Sequence, residues 1–273
     1  MCGIVGGVWS EAKLALSAET LKAMTDVIRH RGPDDDGAYY SPSETSGLQA
    51  ALGFRRLSII DLAGGHQPLS NEDGRIWIVF NGEIYNYREL RPPLEARGHV
   101  FHTHSDTETI VHLYEEYGDR FVDHLRGFFA IGLWDDRRKR LILARDRLGQ
   151  KPLFYRHEPG RLLFASELKS LLEVPGAPRE LDLESLDLFL TYQYVPHPRS
   201  ILKGYNKLPP GHIAVYENGR LSVQQYWHAP FEPDYDRNAL AESDLGDSDR
   251  WSDDEWRRRL RASLTEAVRL RMR

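Results

Sequence analysis

Two groups that could act together in catalysis meet at the start of the chain. The sequence of 273 residues contains one cysteine, Cys2, which follows Met1 directly. Once Met1 is removed, the Cα of Cys2 carries both a thiol and a free α-amine. Because an α-amine has a pKa of about 7.7–8.0, part of it is neutral near pH 7 and can accept the thiol proton. We therefore predict a nucleophile with its own base at the N-terminus; the alternative is a small buried residue that begins a strand.

A second candidate pair, Asn81-Gly82, follows an apolar segment. Residues 76–80 read Ile-Trp-Ile-Val-Phe, which is typical of a buried strand. An Asn-Gly pair most often forms a tight turn. If the strand continues past the pair instead, the Asn81 amide and the Gly82 N–H can point outward and stabilise an oxyanion.

Two charged residues lie where regular structure is expected to begin or end. Arg56 follows the apolar segment 48–54, and its planar guanidinium either stays in solvent or binds a carboxylate in a bidentate contact. Asp106 belongs to Ser105-Asp106-Thr107-Glu108, which predicts a capping box before a helix over 109–117. The helix dipole favours a carboxylate in the first turn whatever its function, so position alone does not assign Asp106 to a site.

The elements that must hold these residues are short and mostly strands. Apolar runs occur at 127–134, 140–145, 152–155 and 162–165, separated by polar or glycine turns without a long helix between them. This spacing favours antiparallel sheets. Helices are predicted over 183–192 and after the capping residue Ser17, and residues 29–37 are predicted to form a charged loop.

Composition excludes several classes of protein. Lys and Arg number 36 and Asp and Glu number 41, so a net charge of −5 offers no basic field for nucleic acid. One cysteine cannot form an intramolecular disulfide or a cysteine-rich zinc site, and the eleven histidines form no His-Glu-x-x-His motif. No apolar run approaches the ~20 residues that span a bilayer, and no targeting segment is visible. We expect a globular protein of the reducing cytoplasm, without a metal and without nucleic-acid or membrane partners.

The composition changes after residue 228. Residues 229–250 include two prolines and seven acidic residues, which is typical of a linker. A capping box from Ser252 to Glu255, with Trp251 and Trp256 as a hydrophobic staple, then predicts a helix that continues to the end of the sequence. We expect a domain at 1–228, an acidic linker at 229–250, and at 251–273 the first helix of a second domain that lies outside this sequence.

Seven segments in this order resemble one known family. They are 1–6 (Met-Cys-Gly-Ile-Val-Gly), 29–34 (Arg-His-Arg-Gly-Pro-Asp), 56–61 (Arg-Leu-Ser-Ile-Ile-Asp), 80–86 (Phe-Asn-Gly-Glu-Ile-Tyr-Asn), 105–108, 145–153 (containing Gly-Gln-Lys-Pro-Leu) and 208–212 (Leu-Pro-Pro-Gly-His). Any one of them is a weak signal, whereas seven in register over 1–228 are a strong one. The chain resembles the N-terminal class II glutamine amidotransferase domain, or glutaminase domain, of glutamine-hydrolysing asparagine synthetase.

The resemblance implies a fold and a role for each candidate residue. The fold would be α+β, an N-terminal-nucleophile αββα sandwich of two antiparallel sheets between helices, followed by the linker and a lone C-terminal helix. The Cys2 thiolate would attack the side-chain amide of glutamine, with the Cys2 α-amine as base. The remaining roles implied are oxyanion stabilisation by Asn81 and Gly82, binding of the substrate α-carboxylate by Arg56, binding of the α-ammonium by Glu83 and Asp106, and lining of the pocket by Ile60.

The resemblance also implies where the ammonia goes. In this family a synthetase domain with ATP and Mg²⁺ receives it, whereas glutamine hydrolysis itself needs no cofactor. The Ser-Gly-Gly-x-Asp-Ser segment of that domain does not occur here, so we expect it in a C-terminal partner domain of the parent protein, and a homodimer remains open. Three alternatives stay open as well: a non-catalytic interaction module of an ammonia-dependent synthetase, the amidotransferase half of a natural-product amide synthetase, and an amidase for other γ-glutamyl amides.

Overall fold

A computed structural model describes residues 1–42, 47–58, 64–229 and 251–272. The chain divides into two units, Met1–Tyr226 and Trp227–Arg273, each of which is described by itself. Among the described residues, none of the helices combines the length and the apolar character needed to cross a membrane.

The regular elements are short. The strands are β1 (Gly3–Trp9), β2 (Asp35–Tyr40), β3 (Gln49–Arg56), β4 (Leu69–Ser70), β5 (Ile76–Ile84), β6 (Gly127–Asp135), β7 (Arg140–Arg145), β8 (Phe154–Glu158), β9 (Arg161–Ala165), β10 (Asn206–Lys207), β11 (His212–Glu217) and β12 (Arg220–Gln225). The α-helices are α1 (Ala18–Asp26), α2 (Tyr87–Glu95), α3 (Asp106–Tyr117), α4 (Leu168–Leu171), α5 (Leu183–Tyr192) and α6 (Asp253–Arg271).

The first unit contains two antiparallel sheets of six strands each. The strand order is β10-β8-β9-β1-β3-β2 in the first sheet and β12-β11-β7-β6-β5-β4 in the second. One core cluster joins Ile4 and Val8 of β1 to Val79 of β5 and therefore lies between the sheets. The predicted α+β sandwich of two antiparallel sheets is confirmed.

Helices cover the outer face of each sheet. Leu21 and Met24 of α1 pack with Val5 of β1, and Ile110 of α3 packs with Ile78 of β5. Strand alternation explains this division, since successive side chains point to opposite faces of a sheet. Even-numbered residues of β1 face the layer between the sheets, whereas odd-numbered ones face α1.

Glycine lets β1 lie close to both neighbouring strands. A Cβ added to Gly6 would lie 2.5 Å from the carbonyl oxygen of Ala51, and one added to Gly7 would lie 2.8 Å from that of Leu162. Real Cβ atoms do not approach a carbonyl oxygen so closely. These glycines therefore allow β1 to pack closely between β9 and β3 in the middle of the first sheet. Cys2 directly precedes this strand.

Two local predictions were wrong. Residues 29–37 are not all loop, because β2 begins at Asp35 and pairs with β3 as an edge strand. The capping box at Ser105 does not form, since the Ser105 side chain caps no helical N–H. The Glu108 carboxylate instead accepts hydrogen bonds from the N–H groups of His102 and Thr103, both at 2.7 Å, and so organises the loop before α3.

In the second unit, α6 begins as its sequence predicts. The Ser252 side chain accepts a hydrogen bond from the Glu255 N–H at 3.3 Å, which is the N-terminal half of a capping box. The rings of Trp251 and Trp256 meet edge to face with centroids 4.7 Å apart. The staple and the cap therefore fix the start of α6.

Candidate active site

The Cys2 thiol lies where β1 and β3 meet. The register pairs Gly3 with Arg55, which puts Cys2 beside Arg56 and Leu57. The Leu57 N–H donates a hydrogen bond to the Cys2 sulfur at 3.4 Å, and the Leu57 carbonyl oxygen lies 3.7 Å from that sulfur. By strand alternation Cys2 faces the same layer as Ile4, against whose cluster it packs.

One pocket brings together residues that are far apart in the chain. It is lined by Cys2 from the N-terminus, Arg56 from β3, Gly82 and Glu83 from β5, and Asp106 from α3. A thiol, a guanidinium and two carboxylates therefore face one small volume. Of the residues that the sequence singled out, Ile60 lies outside the described residues.

Asn81 lies on the face of β5 that looks toward the first sheet. Val79, two residues earlier on the same face, packs in the core cluster shared with Ile4. Asn81 is 1% exposed, and its Nδ2 has no hydrogen-bond partner among the described residues. Leaving a buried amide donor unpaired costs about 1–3 kcal/mol, so such a group marks a place where a ligand could accept the bond.

The Gly82 N–H faces the open edge of β5. Strand β5 continues through Asn81-Gly82, because Gly82 pairs with Phe129 in the antiparallel ladder. Two residues before and after it, the N–H groups of Phe80 and Ile84 donate away from that ladder, to Gln67 Oε1 at 2.6 Å and to Asp106 Oδ2 at 2.8 Å. By the alternation of an antiparallel strand, the Gly82 N–H points to the same edge.

The two carboxylates of the pocket are poorly solvated. Burial raises the pKa of Asp106 to about 7, against the opposing hydrogen bond from the Ile84 N–H and with a further increase from the charge of Glu83. Burial also raises the pKa of Glu83, although the charge of Lys151 opposes this. A cation bound between them would restore both carboxylates to their charged form.

Burial disfavours the thiolate form of Cys2. Burial raises the pKa of Cys2, while the Leu57 N–H, the terminal ammonium and the charges of Arg56 and Lys151 act in the opposite direction. Burial lowers the pKa of the Met1 α-ammonium; the charge of Cys2 opposes this, and those of Arg31 and Lys151 add to it. Because burial opposes ionisation of the Cys2 thiol, attack by Cys2 needs a nearby proton acceptor.

Sequence reasoning missed two basic residues beside the N-terminus. The Nε of Arg31 donates to the Cys2 carbonyl oxygen at 3.0 Å, and Arg31 also forms an ion pair with Glu167 at 2.9 Å. The Lys151 ammonium lies 2.9 Å from the Met1 sulfur and 4.4 Å from the centre of the Phe128 ring. Both residues belong to segments of the resemblance, 29–34 and 145–153, and a basic residue inside such a segment was the signal available in the sequence.

Asp146 positions Lys151 through the turn between them. Its carboxylate accepts hydrogen bonds from the N–H groups of Leu148, Gln150 and Lys151 at 3.1, 3.0 and 3.0 Å. Arg145 donates to the carbonyl oxygens of Lys151 and Leu208, both at 2.7 Å. The segments 145–153 and 208–212 therefore support the site rather than line it.

Comparison with known proteins agrees with this geometry. The family model of the glutamine amidotransferase domain matches residues 1–227. Asparagine synthetase (glutamine-hydrolyzing) 1 of Bacillus subtilis strain 168 is 42% identical over 237 residues, which are 85% of this chain and 36% of that protein. Asparagine synthetase (glutamine-hydrolyzing) 2 of the same organism is 47% identical over 237 residues, 83% of this chain and 30% of that protein. The chain thus spans about a third of the length of these relatives.

A solved structure shows the same fold at low identity. Glutamine phosphoribosylpyrophosphate amidotransferase from B. subtilis, complexed with ADP and GMP, superposes with a TM-score of 0.58 and 18% identity over 83% of this chain and 50% of that one. This likeness concerns the N-terminal-nucleophile sandwich alone. The family model, in contrast, matches residues 1–227, which are most of the sequence. The chain therefore belongs to the glutamine amidotransferase domain family.

Proposed function

We propose that this chain hydrolyses glutamine to glutamate and ammonia through a thioester on Cys2. The observation that carries the proposal is the convergence of Cys2, Arg56, Glu83 and Asp106 on one pocket. The guanidinium and the carboxylates suit the α-carboxylate and α-ammonium of an amino acid, and the thiol suits an amide at the end of its side chain. The relatives named as glutamine-hydrolysing synthetases support the same substrate.

The first step is attack by the thiol on the side-chain amide. Removal of Met1 makes the α-amine of Cys2 the N-terminal base, which takes the thiol proton as sulfur bonds to the amide carbon. This base is needed because burial raises the pKa of the Cys2 thiol. The resulting ammonium then protonates the departing nitrogen, ammonia leaves, and water hydrolyses the thioester to release glutamate.

The charge that forms on the amide oxygen needs fixed donors. The unpaired Nδ2 of Asn81 and the Gly82 N–H at the edge of β5 are the two donors that we assign to this oxyanion. Glycine at position 82 allows the strand to lie close to β6, since an added Cβ would lie 2.2 Å from the Phe128 carbonyl oxygen. Both donors belong to a paired strand, so they need not reorganise during the reaction.

The released ammonia passes to an ATP- and Mg²⁺-dependent domain that amidates a carboxylate. This part of the proposal rests on the relatives, which are asparagine synthetases about three times as long as the matched segment. We assign the acceptor to the class of carboxylates, aspartate being the one that the relatives' names indicate. A catalytic thiol fits the reducing cytoplasm, where we place the protein.

The proposal is tested by measuring glutamate and ammonia released from glutamine by the purified chain, after mass spectrometry has confirmed the loss of Met1. We expect both products in equal amounts. No release, together with no glutamine binding by calorimetry, would contradict the proposal and favour the non-catalytic module. A panel of other γ-glutamyl amides separates a glutaminase from a broader amidase.

Arg56 is expected to control glutamine affinity. Replacing it with glutamine removes a charge-assisted contact worth about 1.5–3 kcal/mol, which corresponds to a KM increase of about 10–100-fold with a smaller change in kcat. Arg56→Lys keeps the positive charge but lacks the planar guanidinium, so its KM should lie between those of the parent and Arg56→Gln. Unchanged steady-state kinetics in Arg56→Gln would refute the contact with the α-carboxylate.

Asp106 is expected to make glutamine binding pH-dependent. Its pKa is raised to about 7 here, and a bound α-ammonium would stabilise the charged form. Binding should therefore strengthen as pH rises from 6 to 8, by about tenfold, because the fraction of ionised Asp106 rises in that range. Titration calorimetry in the Cys2→Ala background measures binding without turnover.

Two controls accompany this titration. Asp106→Asn keeps the size of the side chain but cannot ionise, so its weaker binding should vary much less with pH. Glu83, whose pKa is also raised, and Lys151 face the same region, and Glu83→Gln reports how much of the slope comes from Glu83. An equal slope in the parent and in Asp106→Asn would exclude Asp106 as the group responsible.

A further inference from the structure

Four side chains outside the Cys2 pocket form a compact group of nitrogen and oxygen donors. Glu72 lies in the turn between β4 and β5, His99 in the segment between α2 and α3, and His112 and Glu115 on α3. One donor atom from each lies within 4.8 Å of the others. We call these residues the His–Glu cluster.

Four nitrogen–oxygen distances in the His–Glu cluster are close to those between the ligands of a zinc ion, and the two remaining donor pairs lie within 4.8 Å. His99 Nδ1 lies 3.3 Å from Glu72 Oε1 and 3.6 Å from Glu115 Oε2. His112 Nδ1 lies 3.6 Å from the same Glu72 oxygen and 3.2 Å from the same Glu115 oxygen. In a tetrahedral zinc site with bonds of about 2.0–2.1 Å, donor atoms are about 3.3–3.4 Å apart. Four donor–donor distances are thus near the required value.

The outer nitrogen of each histidine faces a carboxylate, as in known metal sites. His99 Nε2 lies 3.1 Å from Glu116 Oε1. His112 Nε2 lies 3.9 Å from Glu108 Oε1 and has no hydrogen-bond partner among the described residues. A metal-bound histidine almost always donates its second N–H to a carboxylate, a carbonyl or water, which fixes the ring and the tautomer.

Each of the two glutamates is held by a hydrogen bond, Glu115 through its outer oxygen and Glu72 through the oxygen that faces the histidines. Asn71 Nδ2 donates to Glu115 Oε1 at 2.8 Å and leaves Oε2 to face the histidines. The Val100 N–H donates to Glu72 Oε1 at 2.9 Å. The His112 side chain is 0% exposed, and those of His99 and Glu115 are 12% and 13% exposed. These three donors are therefore held in place and largely withdrawn from water, whereas the Glu72 side chain is 29% exposed.

We propose that the His–Glu cluster binds one zinc-type divalent cation with tetrahedral coordination. Two imidazoles and two carboxylates suit a borderline-soft metal such as Zn²⁺ and carry the two negative charges that neutralise it. A purely ionic network of protonated histidines is the competing explanation. If both rings were protonated in that network, they would place like charges at centroids 4.6 Å apart with the rings tilted by 38°, which is unfavourable.

The sequence alone led us to expect no metal site, so this proposal departs from that expectation. The short motif His112-x-x-Glu115 places two ligands on one face of α3, but it does not match the His-Glu-x-x-His pattern. The other two ligands come from separate segments, and their proximity follows only from the fold.

By binding both His99 and Glu72, the cation would connect the segment before α3 to the β4–β5 turn. Asp106, at the start of α3, precedes His112 by six residues, which is about 9 Å along a helix axis. A cation here would stabilise the helix that carries Asp106 without touching the reacting atoms. The metal proposal stands apart from the glutaminase proposal, since neither depends on the other.

The test is a zinc titration of the untagged chain in the Cys2→Ala background, because a thiol beside an α-amine can itself bind zinc. The protein is first freed of metal with a chelator, and binding is followed by calorimetry. We expect one Zn²⁺ per chain and a rise in Tm that chelator reverses. Co²⁺ in place of Zn²⁺ should give the intense visible absorption of a tetrahedral site.

Matched variants connect the metal to the cluster. His99→Gln and Glu72→Gln, both at partly exposed ligands, should weaken zinc binding by more than about 100-fold, and the outer-sphere Glu116→Gln by about 10–100-fold. The exposed His157→Gln, which lies outside the cluster, should bind as the parent does. No saturable binding, or equal zinc affinity in His99→Gln, Glu72→Gln and the parent, would overturn the proposal, and a weakly absorbing cobalt complex would overturn its tetrahedral geometry.

Discussion

Replacing Cys2 with alanine is expected to reduce glutamate release by at least about 10⁴-fold. The thiol is the only nucleophile that we assign, and removing a catalytic nucleophile leaves only the residual rate given by binding and oxyanion stabilisation. Glutamine binding should be retained, because Arg56, Glu83 and Asp106 are untouched. Steady-state glutamate release and calorimetry, measured on the same preparation, separate the two effects.

Two further variants show whether the loss reflects chemistry. Cys2→Ser retains the size and position of the side chain but has a much less acidic hydroxyl, so we expect a large loss there too. A chain that keeps Met1 has an amide where the base should be and should be inactive with its thiol intact. Full activity in Cys2→Ala, or with Met1 retained, would contradict the mechanism.

Replacing Asn81 with alanine is expected to lower kcat by about 10²–10³-fold. Loss of one oxyanion donor costs this much in other enzymes, since the bond is formed only as charge develops on the substrate oxygen. The affinity for glutamine should change little, because the Asn81 Nδ2 is assigned to the transition state rather than to the substrate. Stopped-time assays of glutamate release give kcat and KM separately.

Asn81→Asp provides the matched control. It preserves the shape of the side chain but replaces the amide donor with an acceptor, so we expect a loss at least as large as in Asn81→Ala. Melting curves show whether either variant is merely unfolded. A rise in KM in both variants, without a fall in kcat, would assign Asn81 to substrate binding and not to stabilisation of the oxyanion.

Strand alternation is the part of the fold that could be predicted best. The apolar runs follow local rules, and so does the turn between β11 and β12, where Asn218 and Gly219 have φ of 51° and 75°. The direction of Cys2 and Asn81 toward the layer between the sheets then follows from their spacing to Ile4 and Val79.

Contacts between distant segments could not be predicted in this way. The Ser105–Glu108 pattern favours a capping box, yet Glu108 turns back to the preceding loop and Asp106 accepts the Ile84 N–H instead. The approach of Lys151 to the N-terminus depends on a turn organised by Asp146. Such contacts are set by how the sheets pack, and local propensity carries no information on them.

The candidate site shows the same division. The identities of Cys2, Arg56, Glu83 and Asp106 came from motifs, but their convergence on one pocket is a property of the fold. The unpaired amide of Asn81 and the His–Glu cluster are visible only when side-chain partners are known.

The central claim, that the N-terminal cysteine is the nucleophile, is tested most directly by trapping it. The purified chain is incubated with a glutamine-analogue electrophile, and the intact protein and its N-terminal peptide are analysed by mass spectrometry. We predict one adduct per chain, on Cys2 of a peptide that lacks Met1, with protection by excess glutamine. An unmodified Cys2 in a chain that has lost Met1, or an adduct on another residue, would contradict the claim.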